Sequence, residues 1–95
     1  SVTANCYHPG LVATGFNRGN GLLTGIGMTA LNLMARARTP AVGADTLVWL
    51  ATSADAANVS GKYFFDRQQR QPSQEAQDMQ AARRLWELSE RQCGL

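Results

Sequence analysis

Apolar residues follow two different spacings along this 95-residue chain, and the spacing predicts its elements. Residues 2–8 alternate between apolar and polar side chains, which predicts a β-strand. From Leu22 to Ala37 the apolar residues recur every three or four positions, which predicts a helix with one apolar face. Thr39-Pro40 predicts the start of a second helix, because threonine caps a helix N-terminus and proline suits its first position.

The second predicted helix reaches Thr52-Ser53, and an aromatic-rich strand follows it at Gly61–Asp66. We expect this helix to pack on the sheet through its apolar face, which includes Leu47, Val48 and Ala51.

The C-terminal part of the chain predicts a polar connector and a last helix. The connector spans Arg67–Pro72, and Ser73 predicts the cap of a helix that runs to about Gln92, with Gly94 just beyond its end. The order of strand, helix, helix, strand and helix predicts a single α/β domain. Its two strands are expected to be adjacent and parallel, joined by a right-handed crossover.

The turn that follows the first strand, residues 8–14, is the most informative stretch for function. Pro9 lacks an N–H and Gly10 permits a close approach, so the strand stops abruptly and the following amides can point outward. In open α/β sheets ligands bind beyond the carboxyl ends of the strands, where this turn is expected to lie. We interpret His8 as a residue that shapes the turn, because no cluster of ligands or nucleophiles accompanies it to indicate a metal or catalytic site.

The formal net charge of +2 and the scattered arginines do not favour nucleic-acid binding, which needs a concentrated basic face. No apolar run approaches the roughly 20 residues that a membrane span requires. Cys6, in a strand expected to be buried, and Cys93 fit free thiols in a reducing, cytoplasmic compartment.

A glycine-rich run, Gly25–Ala30, formally matches the G-x-G-x-x-[GA] dinucleotide fingerprint. That fingerprint needs a preceding strand, so that the phosphates meet the amides at the start of the next helix. The run is preceded by predicted loop, so we interpret it as a flexible segment. A small phosphate-binding domain built on it remains an alternative that a nucleotide titration would expose.

Four motifs occur together in one order. They are the turn His8-Pro9-Gly10-x-Val12-x-Thr14, Thr39-Pro40-x-x-Gly43-Ala44, the strand Val59–Asp66 and the helix Ala81–Ser89. In this order they resemble the C-terminal end of the short-chain dehydrogenases/reductases. The resemblance is to the branch that contains the retinol dehydrogenases and protochlorophyllide reductases. It implies that residues 1–95 are the C-terminal segment of a single Rossmann-type domain. That segment would contribute two parallel strands and about three helices to a doubly wound parallel sheet.

The resemblance also implies a nicotinamide cofactor, NADP or NAD with NADP preferred, and a small alcohol or carbonyl substrate that is lipophilic in this branch. The turn would lie against the nicotinamide, with the backbone near Val12 bonding the carboxamide and the Thr14 hydroxyl reaching the carboxamide or the phosphates. Phe16 and Leu22 would line the substrate pocket, although packing on the sheet explains the same apolar residues. The expected cofactor-binding residues are Pro9, Gly10, Leu11, Val12 and Thr14.

The chain lacks the catalytic Tyr-x-x-x-Lys and the N-terminal fingerprint that the resembled family carries. Tyr7 is followed four residues later by Leu11, and Tyr63 by Arg67. We therefore expect no catalytic residue and no activity from this chain alone, and an active NAD(P)-dependent oxidoreductase as its parent. The alternative is a catalytically inactive truncated fragment or an interaction module, and coding DNA upstream of Ser1 would separate the two.

Overall fold

The computed structural model describes residues 2–14, 19–34 and 36–95, which form three helices and one three-stranded sheet. Short 3₁₀ helices span Ala54–Ala56 and Glu75–Gln77. The helices and strands are β1 (Cys6–His8), α1 (Leu22–Met34), α2 (Pro40–Thr52), β2 (Tyr63–Phe65), β3 (Gln68–Arg70) and α3 (Met79–Cys93).

The predicted parallel pairing of the two apolar strands is confirmed. β1 and β2 pair in parallel, with Tyr7 opposite Phe64. Backbone bonding continues before the named strands, since Gly61 N donates to Ala4 O at 2.7 Å. The strands are shorter than the predicted 2–8 and 61–66, and the handedness of their crossover stays a prediction.

The polar connector predicted at Arg67–Pro72 is wrong, because it contains a third strand. β3 pairs antiparallel with β2, and Asp66 and Arg67 form the two-residue turn between them. Both turn residues have positive φ, 49° and 59°. Such turns usually use asparagine, aspartate or glycine at these positions. This turn has arginine second, so it carries no strong hairpin signal.

The small core lies between α2 and the sheet. Phe64 is only 4% exposed, and its ring lies 5.8 Å from that of Trp49. The buried residues of α2 are Gly43 and Thr46, whereas Leu47 and Val48 are 50% and 56% exposed. The predicted packing face is therefore wrong: the helix approaches the sheet through Gly43, Thr46 and Trp49, two of which apolarity alone does not identify.

The face of the sheet opposite α2 is open, and this explains a second wrong prediction. Tyr7 and Phe64 lie opposite each other, so their side chains share the face covered by α2. Cys6 points to the other face and is exposed, although it was expected to be buried. Cys6 and Cys93 are both free thiols, as predicted.

α1 and α3 contain no buried residue. α3 begins at Met79 and not near Ser73, because the Asp78 carboxylate caps it by accepting from Gln80 N and Ala81 N, both at 3.0 Å. Its other end is as predicted, with Gly94 in the left-handed conformation. Among the helices of the described residues, none has the length and apolar character to cross a membrane.

Candidate functional site at the end of the first strand

The turn after β1 begins directly at the carboxyl end of the parallel pair. His8 shapes it, as the sequence predicted: Nδ1 accepts a hydrogen bond from Gly10 N at 2.9 Å. The histidine ring also meets Phe65, the last residue of β2, edge to face at a centroid distance of 5.7 Å. His8 therefore joins the first bend of the turn to the neighbouring strand. Within the described part of the chain, no group of residues that could hold a metal ion is found.

The middle of the turn runs alongside the backbone that leads into α2. Arg38 N donates to Leu11 O at 2.8 Å, and Ala13 N donates to Arg38 O at 3.0 Å. These two bonds make a parallel bridge between Val12 and Arg38. Because the bonds come from the residues on either side of Val12, the bridge does not use the N–H and C=O of Val12 itself. In such a bridge those two groups point to the opposite side.

The side chain of Val12 is held against the first turns of α2. A Cβ built on Gly43 would lie 2.6 Å from Val12 Cγ2, so any larger residue at position 43 would displace one of the two. Gly43 is buried. The glycine of the Thr39-Pro40-x-x-Gly43 motif thus provides the space for Val12, a role that the sequence did not reveal.

Gly10 is required both for its backbone conformation and for its contact with the side chain of Arg38. Its φ of +80° favours glycine, and a Cβ built there would lie 2.9 Å from Arg38 Nε. The close approach expected at this position is therefore made by the side chain of Arg38. A ligand is not needed to explain this glycine.

Arg38 is anchored beyond the turn by the hairpin between β2 and β3. Its guanidinium makes two hydrogen bonds to the Asp66 carboxylate, at 2.5 and 2.9 Å, and lies 5.0 Å from the centre of the Phe65 ring. The hydrogen bonds from Arg38 lower the pKa of Asp66, and the same bonds raise the pKa of Arg38. Sequence reasoning missed this pair, because its members are 28 positions apart.

A second ion pair of the same type holds the other turn residue of the hairpin. Arg67 Nε and Nη2 donate to Asp45 of α2 at 2.8 and 2.7 Å, and these bonds lower the pKa of Asp45. The backbone N–H of Arg67 donates to the Thr46 hydroxyl at 3.1 Å. Asp45 lies about 20 residues after the start of the glycine-rich run, where a dinucleotide fingerprint has its ribose-binding acid, but its bonds to Arg67 give it a structural role.

The other predicted site residues are not gathered at the turn. Leu22 opens α1 and is 80% exposed, and the alternative that α1 packs on the sheet is not observed, since it has no buried residue. Phe16 lies outside the described residues. Gly25–Ala30 is inside α1, and Gly25 N donates to Gly21 O at 3.0 Å, so this amide is engaged by the helix. The run is helical, as the apolar spacing from Leu22 predicted, and its interpretation as a flexible segment is wrong.

A cavity of about 920 Å³ is present on the sheet, but the turn does not line it. It lies on the face opposite α2 and extends to the segment before α3. Its walls include Cys6, Tyr63, Arg70, Gln77 and Met79, and none of residues 8–14.

No family model and no solved structure matches the chain, whereas several curated protein sequences do. It is 39% identical over 98 residues to retinol dehydrogenase 14 of Homo sapiens, and 37% identical over 97 residues to retinol dehydrogenase 13 of the same species. These matches cover 100% and 99% of the chain. Short-chain dehydrogenase TIC 32 A, chloroplastic, of Brassica napus is 36% identical over 91 residues, or 94% of the chain.

The chain spans 29% of the length of the two human proteins and 27% of that of the Brassica protein. The matched region is the C-terminal part of these relatives, which agrees with the order of the four motifs.

The depressed pKa of Asp66 predicts how its ion pair responds to pH. A group whose pKa is lower in the folded state stabilises the fold above its unfolded pKa, here about 3.9, and this contribution is lost as pH falls through the folded pKa. Asp66→Asn should therefore lower the free energy of unfolding at neutral pH, and the difference from wild type should disappear in acid. Urea denaturation of both proteins, from about pH 7 down to about pH 2.5, measures it.

Asp55→Asn serves as the control, since Asp55 is exposed and makes no ion pair within the described residues. A difference between wild type and Asp66→Asn that stays constant over the whole pH range would show that the ion pair does not stabilise the fold.

Proposed function

The chain belongs to the short-chain dehydrogenase/reductase family and matches the C-terminal part of its relatives. We propose that it completes the nicotinamide site of an NAD(P)-dependent oxidoreductase. Such an enzyme transfers hydride between the cofactor and an alcohol or carbonyl substrate. Residues 1–95 would be the last segment of a single Rossmann-type domain, and Pro9, Gly10, Leu11, Val12 and Thr14 would form the contact with the cofactor.

The main-chain groups of Val12 carry this assignment. The bridge to Arg38 is made by Leu11 and Ala13, so Val12 directs one donor and one acceptor away from it. A carboxamide offers one acceptor and one donor group in a single plane, and an extended residue can meet both. This two-point contact would fix which face of the nicotinamide ring is presented to the substrate.

The surroundings of Val12 hold it in one position before any ligand binds. Its neighbours are bonded to Arg38 on one side, and its side chain is packed at Gly43. A binding group that is already ordered loses little conformational freedom on association, which favours affinity. A donor and an acceptor on one side of an extended residue suit the two groups of a planar carboxamide, which supports a nicotinamide as the ligand.

Thr14 follows Val12 by two positions and is exposed. We propose that its hydroxyl donates a hydrogen bond to the carboxamide or to the phosphates, as the resemblance implies. NADP is the preferred cofactor by resemblance alone, because the residues that read its 2′-phosphate lie in another part of the family's fold.

A lipophilic alcohol or carbonyl compound is the proposed substrate class. Two of the relatives are named retinol dehydrogenases. Leu22, Leu23 and Ile26 expose apolar side chains on α1. We propose that this helix, together with Phe16, lines the substrate pocket.

The 95-residue chain expressed alone should not oxidise or reduce substrates with either dinucleotide. It lacks Tyr-x-x-x-Lys, and proton transfer by a placed side chain contributes roughly 10²–10⁴-fold to rate. An absorbance assay at 340 nm with retinol and with small alcohols measures this. Turnover above a blank would contradict the proposal that catalysis requires a Tyr-x-x-x-Lys from outside residues 1–95.

Replacing Thr14 by alanine in the full-length protein should weaken cofactor binding by about 0.5–1.5 kcal/mol, the net contribution of one hydrogen bond. Fluorescence titration with NADPH and NADH measures the change. Thr3→Ala is the matched control, because Thr3 is also exposed but precedes β1. Equal affinities of Thr14→Ala and Thr3→Ala would show that Thr14 does not contact the cofactor.

A further inference from the structure

We propose that Arg38 is a positioning residue that sets the orientation of the Val12 main chain, and through it the orientation of the nicotinamide. This role rests on the proposed cofactor site. Arg38 lies just before α2, outside the turn, and acts on the turn through its backbone and its side chain.

The backbone of Arg38 holds the turn by hydrogen bonds to the residues on both sides of Val12. Its N–H binds Leu11 O at 2.8 Å and its carbonyl accepts from Ala13 N at 3.0 Å. Because these two bonds are made by Leu11 and Ala13, on either side of Val12, they determine how the extended segment is rotated about its own axis. The side to which the Val12 N–H and C=O point is thereby determined as well.

The side chain of Arg38 fixes the start of the same turn. Its Nε occupies the space where a Cβ of residue 10 would lie, so Gly10 is in contact with the arginine stem. The turn is thus held at Gly10 by the side chain of Arg38 and at residues 11–13 by its backbone.

Arg38 is ordered by the hairpin and does not serve as an anion-binding group. Both terminal nitrogens donate to the Asp66 carboxylate, and the guanidinium lies over the Phe65 ring. Only 29% of its side chain is exposed. A guanidinium whose fork is already occupied by a carboxylate is not available to a cofactor phosphate, so its influence must pass through the turn.

The same hairpin supplies a matched control in Arg67. Arg67 forms an equally bidentate pair with Asp45, and its distances of 2.7 and 2.8 Å are comparable. It donates to α2 and, within the described residues, makes no hydrogen bond to residues 9–14. Loss of either arginine side chain removes one ion pair from the hairpin, but only loss of the Arg38 side chain removes a contact with the turn, at Gly10.

The experiment compares Arg38→Met and Arg67→Met in the full-length protein with two probes. The first is the reduced dinucleotide that wild type binds, and the second is the same molecule without its nicotinamide: ADP-ribose, or its 2′-phosphate for NADPH. Arg38→Met should weaken binding of the dinucleotide by roughly three- to tenfold, as expected for one misdirected hydrogen bond, and leave the truncated probe unchanged. Arg67→Met should leave both affinities unchanged.

The difference between the probes distinguishes positioning from general destabilisation, because a loosened fold would weaken both. Equal weakening of both probes, or equal effects of the two arginine variants, would overturn the role of Arg38 and leave the proposed function standing. Failure of wild type to bind either dinucleotide would instead overturn the proposed function, and the positioning role with it. If Arg38→Met does not fold, Asp66→Asn decides, since it keeps the shape of the pair and should show a smaller change in the same direction.

Discussion

The parallel pairing of β1 with β2 is the constraint on which the rest of the candidate site depends. The two strands end in register, with His8 opposite Phe65. The turn of residues 9–14 and the hairpin turn at Asp66 and Arg67 therefore leave the sheet side by side. Arg38 lies between them, bonded to the first turn by its backbone and to the second by its side chain. A shift of one residue in this register would separate the two turns and remove Arg38 from one of them.

The two ion pairs of the hairpin determine geometry more than stability. Their side chains are partly exposed, and exposed pairs contribute little to the free energy of folding. A bidentate arginine–carboxylate pair nevertheless fixes the plane and direction of both groups. Asp66 and Arg67 adopt left-handed backbone conformations that non-glycine residues seldom use, and Arg38, Asp45 and Thr46 hold them from two sides. The hairpin thus becomes a rigid support for Arg38.

Local signals in the sequence predicted what local physics determines. Thr39-Pro40 gave the start of α2 correctly, because the Thr39 hydroxyl accepts from Val42 N as an N-cap. The pair of parallel strands and the place of the Pro9-Gly10 turn were also predicted. The side of α2 that faces the sheet was not predicted, because Gly43 and Thr46 lie there together with Trp49. The third strand was not predicted either, because ion pairs hold the turn that leads into it. Such contacts join residues 21 to 28 positions apart and leave no periodic pattern.

The sequence indicated where the candidate site lies, but not all of the residues that support it. Pro9-Gly10 after a strand identified the turn, whereas Arg38 and Gly43 act on it from the neighbourhood of another element. The Thr39-Pro40-x-x-Gly43 motif contained a usable clue, because a buried glycine early in a helix indicates that another chain segment packs closely there.

A crystal structure of the full-length protein with its reduced dinucleotide would test the central claim most directly. The account predicts that the carboxamide of the nicotinamide lies within about 2.7–3.2 Å of both the backbone N and the backbone O of Val12. A nicotinamide bound elsewhere, or a carboxamide held only by side chains while Val12 keeps its bridge to Arg38, would contradict it.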